Sequence, residues 1–225
     1  MSDLILRVLE DRLSGGVEPV YLPRLSRALF VAEGAVAVET ATSYSHHENG
    51  SAWVGDAEAA LFAGRNGARL LRWELVLATS KDDGKLRAAP SCTSGWKLSA
   101  EVDLPIEFGW LMRCDTVGFP KGGIAYTHVH QGPGIRVCLE GEIRIETEGA
   151  PQRYRPGDAW FESGLMPVLA PTSEDAETSF VRCFVLPRGC KGRSSIRYVR
   201  PEDATKPKTQ RYRILAERFI ELPTS

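Results

Sequence analysis

Residues 122–141 read GGIAYTHVHQGPGIRVCLEG. In a β-strand, residues i and i+2 project to the same face, so the imidazoles of His128 and His130 converge. Paired imidazoles suit a transition-metal ion, with metal–nitrogen distances of roughly 2.0–2.2 Å. The chain has four histidines and spends two of them here. The competing reading is an ordinary strand with two polar positions. Tyr126 is expected on the histidine face. Gly132, Pro133 and Gly134 set a turn and remove bulk beside the imidazoles. The stretch lacks the carboxylate that a metal would take next.

Outward from there, the chain is a series of short apolar runs punctuated by Gly, Pro, Asn and Asp. They cover 28–40, 69–78, 134–147, 158–163 and 178–187. Alternation with frequent turn signals predicts an all-β sandwich or barrel. Two segments read otherwise. Ser2 can cap a leading helix with Leu4, Ile5, Val8 and Leu9 on one face and Gly15-Gly16 at its end. Residues 209–222, TQRYRILAERFIEL, fit either a helix or an extended edge strand.

The chain also repeats itself. VAEGAVAV (31–38) matches CLEGEIRI (138–145), and AWVGDAEAALFAG (52–64) matches RYRPGDAWFESG (153–164) through a shared Gly-Asp. LLRWELVLA (70–78) then matches FVRCFVLP (180–187) in the same order. A duplicated barrel follows, with KDDGKLRAAPSCTSG (81–95) as the connection between domains. His46, His47 and Glu48 fall in a Ser/Asn/Gly segment that reads as a solvated loop.

Composition narrows the function. The 225 residues are 43% apolar and 25% charged, with formal net charge -1. Basic residues are dispersed, which argues against nucleic acid or an anionic membrane as partner. No apolar run approaches a spanning length, and the N-terminus is not a signal peptide. Five cysteines without a CxxC pair read as reduced structural thiols in the cytoplasm, Cys138 and Cys183 as buried hydrophobes.

With Gly122, His128, His130 and Gly141 at the spacing of GxxxxxHxHxxxExxxxxxG, the chain resembles a cupin, specifically a bicupin. The second block, GxxxxxPxGxxHxxxN, is matched only by the strand of PGDAWFESG. The resemblance covers 108–187 well and 20–80 weakly. It implies an all-β double-stranded β-helix (jelly-roll) bicupin, two tandem barrels with short terminal helices. The expected domains are a degenerate N-terminal cupin over 1–90 with its leading helix, a C-terminal cupin over 91–200 holding the site, and a tail over 201–225 that packs on a barrel or a partner. Cupin barrels leave sheet edges to cover, so a homodimer built partly by a terminal segment is expected.

Departures from the family matter equally. Its glutamate position is Gly134, and its second-block histidine falls near Pro167 or Val168. Glu162, ending an apolar strand, is the candidate third metal ligand, or a carboxylate supporting one, or a strand-end ion pair. Gln131 offers an amide oxygen, although its side chain starts on the opposite face. Counting by twos from Gly134 turns Arg136 inward, either to clamp a ligand carboxylate or to pair with Glu142, Glu146 or Glu162. Trp160 is core or a stacking surface for a ligand. The resemblance implies a divalent metal (Fe, Mn, Ni or Zn) on His128, His130 and Glu162, and oxygenase, isomerase or lyase chemistry on a small organic acid. The alternative is a non-catalytic metabolite-binding bicupin whose metal site has decayed.

Overall fold

The computed structural model describes residues 3–16, 18–87, 89–147 and 149–224, and is almost entirely β. Unit 1 carries β1 (Leu4–Leu13), β2 (Val20–Leu22), β3 (Arg27–Thr40), β4 (Ser43–Glu48), β5 (Ala52–Gly55), β6 (Ala59–Leu77) and β7 (Cys92–Val102). These form one antiparallel sheet in the order β4-β3-β6-β1-β7, with β2 on β6 and β5 on β3. From β8 (Trp110–Phe119) the chain enters unit 2, with β9 (Ile124–His130), β10 (Gly134–Glu140), β11 (Ile143–Ile145), β12 (Gln152–Tyr154) and β13 (Ala159–Glu162). There follow β14 (Val168–Pro171), β15 (Thr178–Pro187), β16 (Ile196–Tyr198), the short helix α1 (Pro201–Thr205) and β17 (Arg211–Ile220). Its sheets run β13-β10-β15-β8-β17, β14-β9-β16 and β11-β12.

The unit 2 core draws Val117 and Phe119, Cys138, Trp160 and Phe180 from the five-stranded sheet and Ala125, Val168 and Ala170 from the three-stranded one. Residues of both sheets thus share one interior, as the two layers of a jelly roll do. Unit 1 buries its own cluster around Val31, Val36, Leu61 and Leu70. Among the described residues, no helix is long and apolar enough to cross a membrane.

Several expectations are corrected. The leading helix is strand β1, with Ser2 outside the described residues. Its positions 4, 5, 8 and 9 mimic a helical face, but Arg7 and Asp11 are also buried, at 3% and 0% exposure. Alternation puts Arg7, Leu9 and Asp11 on one face, where the two charges meet partners on β6. Residues 211–220 take the strand alternative, pairing with β8 at a sheet edge. His46 and His47 lie on β4, paired with β3, rather than in a loop.

The compact units are residues up to Cys114 plus Leu215 onward, and Asp115–Ile214, so the division does not fall at 90/91 or 200/201. The reason is β7, which pairs with β1 along its length and extends the first sheet. The expected connection is docked too: the carbonyls of Asp82 and Gly84 accept from Arg7 and Arg72.

Strand register superposes the halves. Leu29 lies opposite Arg72 and Trp53, and Arg136 opposite Arg182 and Trp160. Two residues back, Arg27 lies opposite Glu74 and Gly55, and Gly134 opposite Phe184 and Glu162. The first and third sequence matches keep this frame, and both Glu-Gly junctions place glycine at positive φ (Gly34 +74°, Gly141 +70°). The second match was out of frame: Gly55 corresponds to Glu162, not to Gly157.

Candidate metal centre

β9 is the central strand of its sheet, between β14 and β16. His128 and His130 are buried, at 5% and 3% exposure, with rings at a centroid distance of 4.8 Å. His128 Nδ1 lies 2.7 Å from the Tyr126 carbonyl, which can only accept, so Nδ1 carries the proton and Nε2 the lone pair. His130 Nδ1 is held by the buried Ser195 hydroxyl at 3.2 Å, directing its Nε2 the other way. Burial lowers the His128 pKa, partly offset by the Glu162 charge. Burial and then the charges of Arg182 and Arg136 hold His130 well below the usual histidine value. Both rings are neutral near pH 7, the form that ligates.

Glu162 supplies the carboxylate that Gly134 does not, from directly across the strand pair. A Cβ at Gly134 would come within 2.6 Å of the Cys183 carbonyl and 2.7 Å of the Phe184 ring, so the position is closed to a glutamate. Glu162 Oε1 accepts from Trp160 Nε1 at 2.9 Å. Oε2 lies 2.8 Å from Arg136 Nη2 and 3.8 Å from His130 Nε2. The Arg136 approach is close enough for Coulomb attraction but not directed as a hydrogen bond, and Oε2 has no hydrogen-bond partner.

One ligand atom of each of His128, His130 and Glu162 lies within 4.8 Å of the other two. Two atoms on one ion at roughly 2.0–2.2 Å can be at most about 4.4 Å apart, so ligation needs a closing movement of at least a few tenths of an ångström. The donor set fits a divalent metal: two free imidazole nitrogens and one buried, unbonded carboxylate oxygen. Two histidines and one carboxylate, with positions left open, form the set that suits non-haem iron and its neighbours. Pro167 and Val168, near which the family's remaining histidine would fall, cannot ligate, and Val168 lies opposite His128.

The other expected residues separate. Arg136 is 1% exposed and donates to the Gly134 carbonyl besides pairing with Glu162. Burial lowers its pKa to about 10 against the Glu162 charge, and it does not line the cavity. Trp160 sits in the core, stacked on Tyr154 at 4.9 Å. Gln131 is exposed and accepts from Cys190. Tyr126 does not share the histidine face, because the register with β14 shifts between His128 and Ala125 and turns Ala125 inward instead. Its ring meets Lys206 and Lys208.

A cavity of about 250 Å³ opens onto His128, His130 and Glu162. Arg182 lines it, fixed by Asp115 through Nε at 2.5 Å and Nη2 at 3.4 Å. Sequence reasoning missed Arg182, although its match to Arg72 within the repeat was the available signal.

By sequence the chain matches no protein-family profile and no curated protein. By structure it is similar to AerE from Microcystis aeruginosa, at TM-score 0.56 and 14% identity over 82% of this chain and 88% of that one. It is also similar to oxalate decarboxylase from Bacillus subtilis, at TM-score 0.62 and 13% identity over 91% and 73%. Another structure of that decarboxylase, described for its Mn(II) centres, matches at TM-score 0.62 and 12% identity over 89% and 73%. At these identities the likeness concerns architecture, and with the paired jelly rolls it gives the chain the cupin fold in its two-barrel form.

Proposed function

We propose that unit 2 holds one divalent metal on His128, His130 and Glu162, and that the protein acts on a small organic acid in the adjoining cavity. The observation that carries this reading is Glu162 Oε2, a buried oxygen without a hydrogen bond, facing two neutral imidazoles. A bound metal supplies Lewis-acid or O2-binding chemistry. The chain's own residues orient it: Ser195 and the Tyr126 carbonyl fix the rings, and Trp160 and Arg136 hold the carboxylate. Oxygenase, isomerase and lyase reactions all fit such a centre. The second reading, a non-catalytic metabolite-binding barrel, is favoured by Val168 in the fourth position.

Metal titration separates the two. Iron, manganese, nickel and zinc are offered to the wild type and to Glu162→Gln, and bound metal is measured after desalting. Loss of most of the metal in the variant is expected for a ligand, against roughly 10–100-fold weaker binding for a residue that only supports one. Wild type that takes up none of the four retires the enzyme and leaves the binding module.

A further inference from the structure

The two halves repeat one guanidinium and treat it differently. In unit 1, Arg72 Nε and Nη2 bind Asp11 at 2.5 and 3.1 Å, and Nη1 donates to Glu74 at 2.6 Å. In unit 2, Arg182 Nε and Nη2 bind Asp115 in the same way. Register places Phe184 where unit 1 has Glu74. Among the described residues, Arg182 Nη1 therefore meets no acceptor, while the side chain borders the cavity.

The rest of that cavity is mostly apolar, walled by Val117, Phe119, Phe180 and Ile196. At about 250 Å³ it lies below the range of ~300–1,000 Å³ that drug-sized ligands occupy. We propose that unit 2 binds a monocarboxylate with an apolar, ring-sized body, and that Arg182 Nη1 takes the carboxylate in place of the internal glutamate of unit 1. Asp115 holds the guanidinium so that this arm stays aimed. Of the two alternatives open to Arg136, clamp or internal ion pair, it takes the second, on Glu162. The inference rests on the cavity being a ligand site, as proposed above, but not on the metal.

The test is fluorine NMR with 4-fluorobenzoate and its uncharged analogue 4-fluorobenzamide, with and without Mn²⁺. The full-length wild type is expected to broaden the benzoate line and leave the amide sharp. Arg182→Lys keeps the charge but not the forked arm, and should weaken benzoate by roughly tenfold or more. The double change Arg182→Gln with Asp115→Asn removes both charges of the ion pair together and should abolish the effect. Equal binding of both probes, binding of neither, or binding that survives the double change in a folded protein overturns the proposal. So does a loss caused by Lys208→Gln instead. Manganese uptake without benzoate binding sinks this inference alone; benzoate binding without manganese uptake sinks only the metal.

Discussion

Unit 1 and unit 2 share a strand frame and differ in what stands inside it. Where unit 2 has His128 on β9, opposite Val168 of β14, unit 1 has Leu22 on β2, opposite Ala59 of β6, and no histidine follows where His130 would stand. Where unit 2 has Glu162, unit 1 has Gly55, so none of the three positions can ligate. Unit 1 instead fills its interior with Arg7, Arg27, Arg72, Asp11 and Glu74, all at most 3% exposed. Glu74 serves three guanidinia, bonding Arg7 at 2.7 Å and Arg72 at 2.6 Å with Arg27 Nε 3.4 Å away. Burial lowers the Arg27 pKa to about 10 despite that neighbour. In this barrel Asp11 and Glu74 saturate Arg72, the counterpart of Arg182, and leave it no arm for an anion from solution, although Arg27 Nε and Nη1 stay without a hydrogen bond. The other keeps an arm and a carboxylate oxygen unmatched, and there a ligand has something to bind.

The largest effect expected from breaking this contrast is in unit 1. Glu74→Ala leaves buried guanidinia without their shared carboxylate and should cost about 3–5 kcal/mol, read as a lower urea midpoint. Glu162→Ala unpairs one guanidinium, Arg136, and the Trp160 Nε1–H, against three guanidinia for Glu74, and should cost less; a larger loss there would mean that Glu162 is structural cement like Glu74. Next in size is Gly134→Ala, whose Cβ meets the Cys183 carbonyl and the Phe184 ring and should cost about 1–3 kcal/mol by thermal melting. An unchanged melt would show that the strand pair can open, and that a glutamate at 134 is not sterically barred.

The smallest effect is on pH dependence. Both site histidines have folded pKa values below the usual 6.5, so below that pH the unfolded chain binds more protons than the folded one. Stability of the metal-free protein should therefore be full above about 6.5 and fall as the pH drops from there toward the folded values. For the same reason, bound metal should resist acid to below the ordinary histidine range rather than leave near pH 6. Replacing both histidines with Gln should flatten this slope; an unchanged slope would place the titrating groups elsewhere.

Much of this was legible in the sequence. His-x-His spacing, the flanking glycines and the Glu-Gly repeats identify β9, β10 and their jelly roll, because alternation and positive-φ turns are local properties. Glu162 was legible as a carboxylate too apolar in its surroundings to be casual, but its place opposite Gly134 exists only once strands pair. The β1 reading failed, and that of Arg136 stayed open between clamp and ion pair, for one cause. Both turn on buried ion pairs, Arg7 with Glu74 and Arg136 with Glu162, whose partners lie 67 and 26 residues away in sequence. Tyr126 was misplaced by a bulge, which no period-two count anticipates.

The central claim is that one barrel binds metal and the other does not. Elemental analysis of untagged protein, purified without chelator and reloaded with Mn²⁺, tests it directly against a variant carrying His128→Ala and His130→Ala. The account predicts about one ion per chain in the wild type and none in the folded variant, as His128, His130 and Glu162 are the one group of three ligating side chains found among the described residues. Two ions per wild-type chain, or metal retained after both histidines are gone, would contradict it.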